Sequence, residues 1–211
     1  MPIFFDRAEA AHLLAHELMQ YKGLSNALIL GLAHGGAILA ATLAKELKMT
    51  FNVLTPRKIG APANPELAIG AVAQDGNLWL NTSLVNLYGL SPSWIEKAQE
   101  KELARSKELA SLYAKTKPLP SLSGKIIILV DDGIATGATL FVTIQSLAAQ
   151  GIAQLIVAAP VAAQDIWNKI RPLAHQGICL HVVEDFLGVS SFYNHFEPVD
   201  DATVLHLLRT S

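Results

Sequence analysis

Runs of apolar residues separated by helical repeats organise the chain from end to end. Asp6 followed by Glu9 sets up a capping box. The helix this opens extends to about Tyr21, with Ala8, Ala11, Leu14, Ala15 and Leu18 on its apolar face. Residues 26–32 read as a strand buried on both faces, 36–47 as a helix and 50–55 as a second strand, together one βαβ unit. Gly60, Pro62 and Pro65 crowd into 57–66 and predict a loop there. A short strand at 67–72, turn chemistry at Gln74-Asp75-Gly76-Asn77 and a return at 78–80 follow, giving a hairpin. Ser91-Pro92 starts a long charged helix that runs to about Lys115 and ends before Lys117-Pro118-Leu119-Pro120. The pattern then gives strand 126–130, helix 138–150, strand 155–159, helix 163–174, strand 177–183 and a terminal helix at 200–208. Such alternation predicts an α/β fold, a doubly wound and mostly parallel sheet with its ligand site along one edge.

The most informative segment is Ile126-Ile127-Ile128-Leu129-Val130-Asp131-Asp132-Gly133-Ile134-Ala135-Thr136-Gly137-Ala138-Thr139. A buried strand empties onto two adjacent acids, a Thr/Gly turn and a helix N-terminus, where unpaired amides and the helix dipole favour an anion. Side chains alternate along a strand, so the two acids can serve one ligand only if the chain curls between them; Gly133 and Gly137 permit that. Amides of 135–139 and the Thr136 and Thr139 hydroxyls would enclose a single phosphate. A triphosphate loop is excluded, because it needs a lysine at the turn and neither lysine nor arginine occurs between Lys125 and Lys169. The Gly133-x-x-x-Gly137 spacing also fails the dinucleotide fingerprint. A sugar phosphate whose vicinal hydroxyls donate to the acids fits what remains.

Composition narrows the class of protein. With 211 residues the chain suits one α/β domain, 51% hydrophobic content supports a substantial core, and a net charge of −2 argues against a strongly basic nucleic-acid surface. The single cysteine, Cys179, precludes an intramolecular disulfide and reads as a core thiol. No signal-peptide plan or bilayer-length apolar run is evident, so a cytoplasmic protein with no membrane partner is expected. His12 and His16 lie at i and i+4 without a third ligand, which favours surface histidines over a metal site.

At residues 130–139 the chain closely resembles the phosphoribosyl-pyrophosphate (PRPP) motif of type I phosphoribosyltransferases. The resemblance implies that Asp131 and Asp132 hold the ribose hydroxyls, and that Ala135, Thr136, Gly137, Ala138 and Thr139 hold the 5-phosphate. Gly31-Leu32-Ala33-His34-Gly35-Gly36 then corresponds to the family's pyrophosphate loop, with His34, Gly35 and Gly36 as its contacts and His34 where relatives usually carry arginine. Arg57-Lys58-Ile59-Gly60 is similar to the Arg-Lys-x-Gly signature of purine-type members, which implies that Arg57 and Lys58 neutralise the leaving pyrophosphate and are catalytic together with Asp131 and Asp132. A magnesium ion, held partly by Asp131 and Asp132 and mostly by substrate and water, is implied as cofactor. Residues 60–80 would form a lid and hairpin, with 61–66 as the start of the lid, and 184–198 a hood over the acceptor. The implied activity transfers the phosphoribosyl group from PRPP to a nitrogen acceptor, a nucleobase-like molecule. A homodimer, common in the family, is the assembly it suggests. The rival reading is a regulator of the same fold that senses PRPP or a nucleotide without turnover.

Overall fold

The computed structural model describes residues 2–62 and 64–210. Five strands, β1 (Ala27–Leu32), β2 (Thr50–Leu54), β6 (Ile126–Val130), β7 (Gln154–Ala163) and β8 (Gln176–Val183), form one parallel sheet in the order β2-β1-β6-β7-β8. Between them in sequence, β3 (Arg57–Ala61), β4 (Asn64–Val72) and β5 (Leu78–Leu80) form a separate antiparallel sheet in the order β3-β4-β5. The helices are α1 (Arg7–Glu17), α2 (Gly35–Leu47), α3 (Thr82–Leu87), α4 (Pro92–Ala114), α5 (Ala138–Ala148), α6 (Gln164–Ile170) and α7 (Asp201–Arg209).

Alternation along the central strands builds the two layers. On one face Ile29, Ile128 and Ile156 pack with Leu14 of α1, Leu39 and Leu43 of α2 and Val204 of α7. On the other, Leu28, Leu30, Ile127 and Leu129 meet Leu140 and Ile144 of α5 and Trp167 and Ile170 of α6. Every residue of β1 is buried, as a strand covered by helices on both faces requires. Ile128, fully buried and flanked by Ile29 and Ile156, is an index of this core. Ile128→Ala is expected to cost about 3 kcal/mol, read from urea unfolding; a loss under about 1 kcal/mol would show that the layer collapses around the gap.

Side-chain caps start α1, α4 and α7 where the sequence places them. Asp6 accepts from the Glu9 amide at 2.8 Å, Ser91 from Trp94 and Asp200 from Thr203. α1 ends at Glu17 and passes into a 3₁₀ turn over Met19–Tyr21, so the expected first helix is two pieces. β7 is longer than its apolar core suggests, reaching Ala163, and α3 carries no buried residue and no strong pattern.

The loop expected at 57–66 is overturned. The 57–66 segment is mostly strand: Arg57–Ala61 pairs with β4, its register shifted at Gly60, and β4 itself begins at Asn64. Turn-forming residues mark that irregularity and the reversal beyond it, while Arg57, Lys58 and Ile59 pair with Val72, Ala71 and Gly70. Residue 63, inside the expected lid, lies outside the described residues. The small sheet is wedged between helices, with Ala68, Ala71 and Ala73 against Ala138 and Val142 of α5, and Ile59, Ala61 and Ile69 facing Trp94 and Ala98 of α4. Trp79 stacks on Phe141 at 4.7 Å. Buried reciprocal bonds, Ser106 Oγ to the Thr55 carbonyl at 2.6 Å and Thr55 Oγ1 to the Ser106 carbonyl at 3.0 Å, fix α4 beside the exit of β2. Cys179 is half-buried rather than a core thiol; burial pushes it up to about 12, and its Sγ lies 3.3 Å from the His181 carbonyl.

Candidate active site

In a doubly wound sheet of this order the crevice opens where neighbouring strands send their chains to opposite faces. Here that point lies beyond β1 and β6, which run side by side with Gly31 opposite Val130. From β1 the chain turns into α2 on one face, and from β6 into α5 on the other. Both turns carry the residues singled out in the sequence.

After β6, Asp131 and Asp132 leave the ladder. Ile134 then rejoins the sheet edge by a bridge to Ala162, its amide bonding the Val161 carbonyl at 2.9 Å. This pinch makes residues 135–137 an outward loop. Gly137 caps α5 with φ +68°, a conformation that favours glycine, and no side chain caps the helix. A Cβ there would also meet Ile166 at 2.7 Å and Ile170 at 2.8 Å. The first amides of α5 therefore point out of the loop without intrahelical partners.

The loop walls a cavity of about 370 Å³ lined also by Lys58, Asp131, Leu187 and Gly188. Its size is that of a small-ligand pocket, roughly 300–1,000 Å³. Asp131, Ala135, Thr136, Gly137, Thr139 and Lys58 are thus brought together. Ala138 and Asp132 do not line this cavity; the Ala138 side chain is buried against β4. Lys58 and Thr139 also border a second cavity of about 490 Å³, which runs past Ala33 to Arg57, Lys101, Glu102 and Arg105. Arg57 is turned toward α4, its Nε 3.4 Å from Glu102, which Arg105 also engages at 2.8 Å. A larger cavity of about 680 Å³ lies away from the acids, against Met49 and Phe51 near the exposed edge of β2, and has no convergent strand ends.

The turn after β1 presses against the acid pair. A Cβ on Gly35 would lie 1.9 Å from Asp132 Oδ2, and one on Gly36 2.7 Å from the Val130 carbonyl and 3.2 Å from Asp131 Oδ1. Only glycines allow that approach. The Ala33–His34 peptide is cis, and Ala33 is tied to the end of β2 through Leu54 at 2.9 Å. The His34 ring is directed to Asp201 at the start of α7, Nε2 to Oδ1 at 2.8 Å, and Tyr113 donates to the same oxygen at 2.5 Å. Burial works against the Asp201 charge, but these bonds from Tyr113 and His34 hold its carboxyl below the usual range.

The two acids are electrostatically unequal. Burial pushes Asp131 well above the ordinary carboxylate range, and the neighbouring Asp132 charge pushes the same way. Burial also raises Asp132, but Arg7 opposes it, with Nε 2.7 Å from Oδ2. Tyr193 donates its hydroxyl to the Asp132 carbonyl at 2.6 Å, and burial raises that phenol strongly. Sequence reasoning missed Arg7, Lys101, Glu102 and Arg105. Arg7 is buried at the first position of α1, and its partner lies 125 positions away, so no local pattern announces it.

The crossover point of the sheet thus holds the acid pair and the glycine-capped turn that opens α5. The family described as the phosphoribosyl transferase domain matches residues 6–193, and the chain belongs to it. A Mycobacterium tuberculosis (strain CDC 1551 / Oshkosh) protein provisionally named a phosphoribosyl transferase is 34% identical over 208 residues, covering 99% of this chain and 47% of its own. The chain thus spans about half the length of the curated relatives it matches. The crystal structure of TT1426 from Thermus thermophilus is similar to this one, with TM-score 0.80 and 33% identity across 100% of this chain and 99% of that one. A hypoxanthine phosphoribosyltransferase from Staphylococcus aureus shares the fold at TM-score 0.50 and 12% identity, over 85% of this chain and 74% of its own. Among the described residues no helix is long and apolar enough to cross a membrane.

Proposed function

We propose that the chain binds PRPP and transfers its 5-phosphoribosyl group to a nitrogen acceptor, a nucleobase-like molecule, with release of pyrophosphate. The observation that carries this reading is the single cavity in which Asp131, Lys58 and the 135–139 turn converge, in a chain of the phosphoribosyl transferase domain family.

In this reading the amides of 135–139 and the hydroxyls of Thr136 and Thr139 hold the 5-phosphate at the positive end of α5. Asp131 and Asp132 accept from the ribose hydroxyls, and the charge they bring near the sugar ring favours the cationic character that develops as the anomeric bond to pyrophosphate breaks. Lys58, on the boundary between the two cavities, offsets charge growing on the departing pyrophosphate. Backbone amides of Gly35 and Gly36 serve it as well, whereas the His34 ring is engaged by Asp201 and Arg57 by Glu102. No protein nucleophile is required; positioning and fixed electrostatics supply the rate. The 184–198 segment brings Leu187 and Gly188 to the phosphate cavity and forms part of a hood.

Magnesium fits the donor set only in part. Asp131 and Asp132 are the carboxylates available at the strand end, one oxygen of Asp132 is taken by Arg7, and no group of three or more His, Cys, Asp or Glu suited to a metal occurs among the described residues. This suits an ion that arrives with the diphosphate and keeps waters and substrate oxygens as most of its ligands. When bound, it would neutralise diphosphate charge.

The test is pyrophosphate release from PRPP with magnesium across a panel of purines and pyrimidines. At least one base is expected to give turnover above the rate of simple PRPP hydrolysis. Tight PRPP binding with no turnover on any base would replace the transferase with a PRPP-sensing regulator of the same fold, and absence of both would defeat the reading.

A further inference from the structure

Asp132 is held from behind by an arginine that belongs to neither loop of the site. Arg7 Nε meets Asp132 Oδ2 at 2.7 Å, and Arg7 Nη1 donates to the Glu197 carbonyl at 2.8 Å. The guanidinium lies 3.7 Å from the centre of the Phe196 ring. The side chains of Arg7 and Asp132 are only 9% and 13% exposed, so the pair is largely shielded from water. A buried guanidinium with its planar fork filled on two sides and its face stacked is fixed in one orientation.

That orientation commits one carboxylate oxygen. Oδ2 is enclosed between Arg7 and Gly35, where a Cβ would approach to 1.9 Å. A Cβ on Gly35 would lie 3.1 Å from the other oxygen, Oδ1, so the β1 turn walls the whole carboxylate on that side. Tyr193 fixes the same residue through its backbone carbonyl at 2.6 Å, and Tyr193 lies three residues before Phe196. The start of α1 and the 193–197 segment therefore grip the second acid jointly, from outside the β1 and β6 turns.

We propose that Arg7 is a positioning residue for the ribose donor: it clamps Oδ2 of Asp132 and so fixes the orientation of the carboxylate that receives the sugar. This rests on the PRPP-binding reading above.

The experiment is calorimetric titration of PRPP with magnesium into the wild-type chain and into Arg7→Gln and Arg7→Lys, with thermal melts of all three. For Arg7→Gln we expect affinity near neutrality to fall about tenfold or more. Arg7→Lys keeps the charge but not the fork, and should recover only part of that affinity. A residue that merely stabilises the fold would lower the melting temperature and leave the affinity in place. Wild-type affinity in either variant would overturn the clamp while PRPP binding by the wild type stands. No PRPP binding by the wild type would instead remove the functional reading, and the clamp with it. If Arg7→Gln fails to fold, the Arg7→Lys titration decides: lowered affinity supports the clamp, and wild-type affinity overturns it.

Discussion

Gly35→Ala should weaken PRPP binding by about 10- to 100-fold while leaving the parallel sheet folded. The added methyl would stand 1.9 Å from Asp132 Oδ2 and 2.5 Å from its Cγ, closer than any real contact. Gly35 sits at the first position of α2 and is held by the helix behind it, so the carboxylate is the group that moves. Rotating it breaks the 2.7 Å bond to Arg7 and displaces the carboxylate proposed to receive the sugar. A charge-assisted bond of that kind is worth about 1.5–3 kcal/mol, which sets the scale of the loss. The effect is expected in the dissociation constant, measured by calorimetry, with far-ultraviolet circular dichroism unchanged. If Gly35→Ala binds PRPP as the wild type does, Asp132 is not part of the donor site, and the contact between the two turns is packing alone.

That contact shows which kinds of information a sequence carries. The 126–139 segment is legible because everything it needs is local: an apolar run for a strand buried on both faces, two acids where the ladder ends, a glycine that accepts φ +68°, and a helix whose amides open outward. The sheet as a whole is legible for a related reason. Each βα unit has its own period, and parallel strands need crossovers of helical length. Residues 57–61 are misread as loop because two signals conflict there. Gly60, Pro62 and Pro65 announce a turn, but Arg57 to Ile59 are strand only because β4 lies alongside to pair with them. Tertiary pairing overrides local punctuation there.

The site's long-range partners are silent in sequence for a different reason. His34 finds Asp201 across 167 positions, Arg7 finds Asp132 across 125, and Tyr193 reaches the Asp132 carbonyl across 61. A buried arginine at the start of an amphipathic helix looks like any solvated charge until its partner is known. The acids could be read as a ligand pair from the motif, but not that they are unequal. The inequality arises from one guanidinium bonded to Asp132 and none bonded to Asp131.

That inequality predicts opposite effects on stability and binding for Asp131→Asn. Asp131 is a carboxyl whose folded value is raised above its unfolded one by burial and by the Asp132 charge. For such a group the contribution to folding is most favourable below the unfolded value, near pH 4, and is lost as pH rises through the folded value. At neutral and alkaline pH the wild-type chain therefore bears a cost that asparagine, nearly the same shape and uncharged, does not. Asp131→Asn should melt higher than wild type at about pH 7 to 8.5, by roughly 2–4 °C for each kcal/mol relieved, and the gap should close toward about pH 4. PRPP affinity should move the other way, falling about 10- to 100-fold as charge-assisted bonds to the ribose hydroxyl become neutral ones. Thermal melts across that pH range and calorimetric titration at one pH measure both. A variant that melts lower than wild type at about pH 8 would mean the Asp131 charge is compensated within the fold. One that melts higher yet binds PRPP normally would place the ribose elsewhere. Both expected effects together would identify Asp131 as a residue whose charge costs the fold stability and serves the ligand.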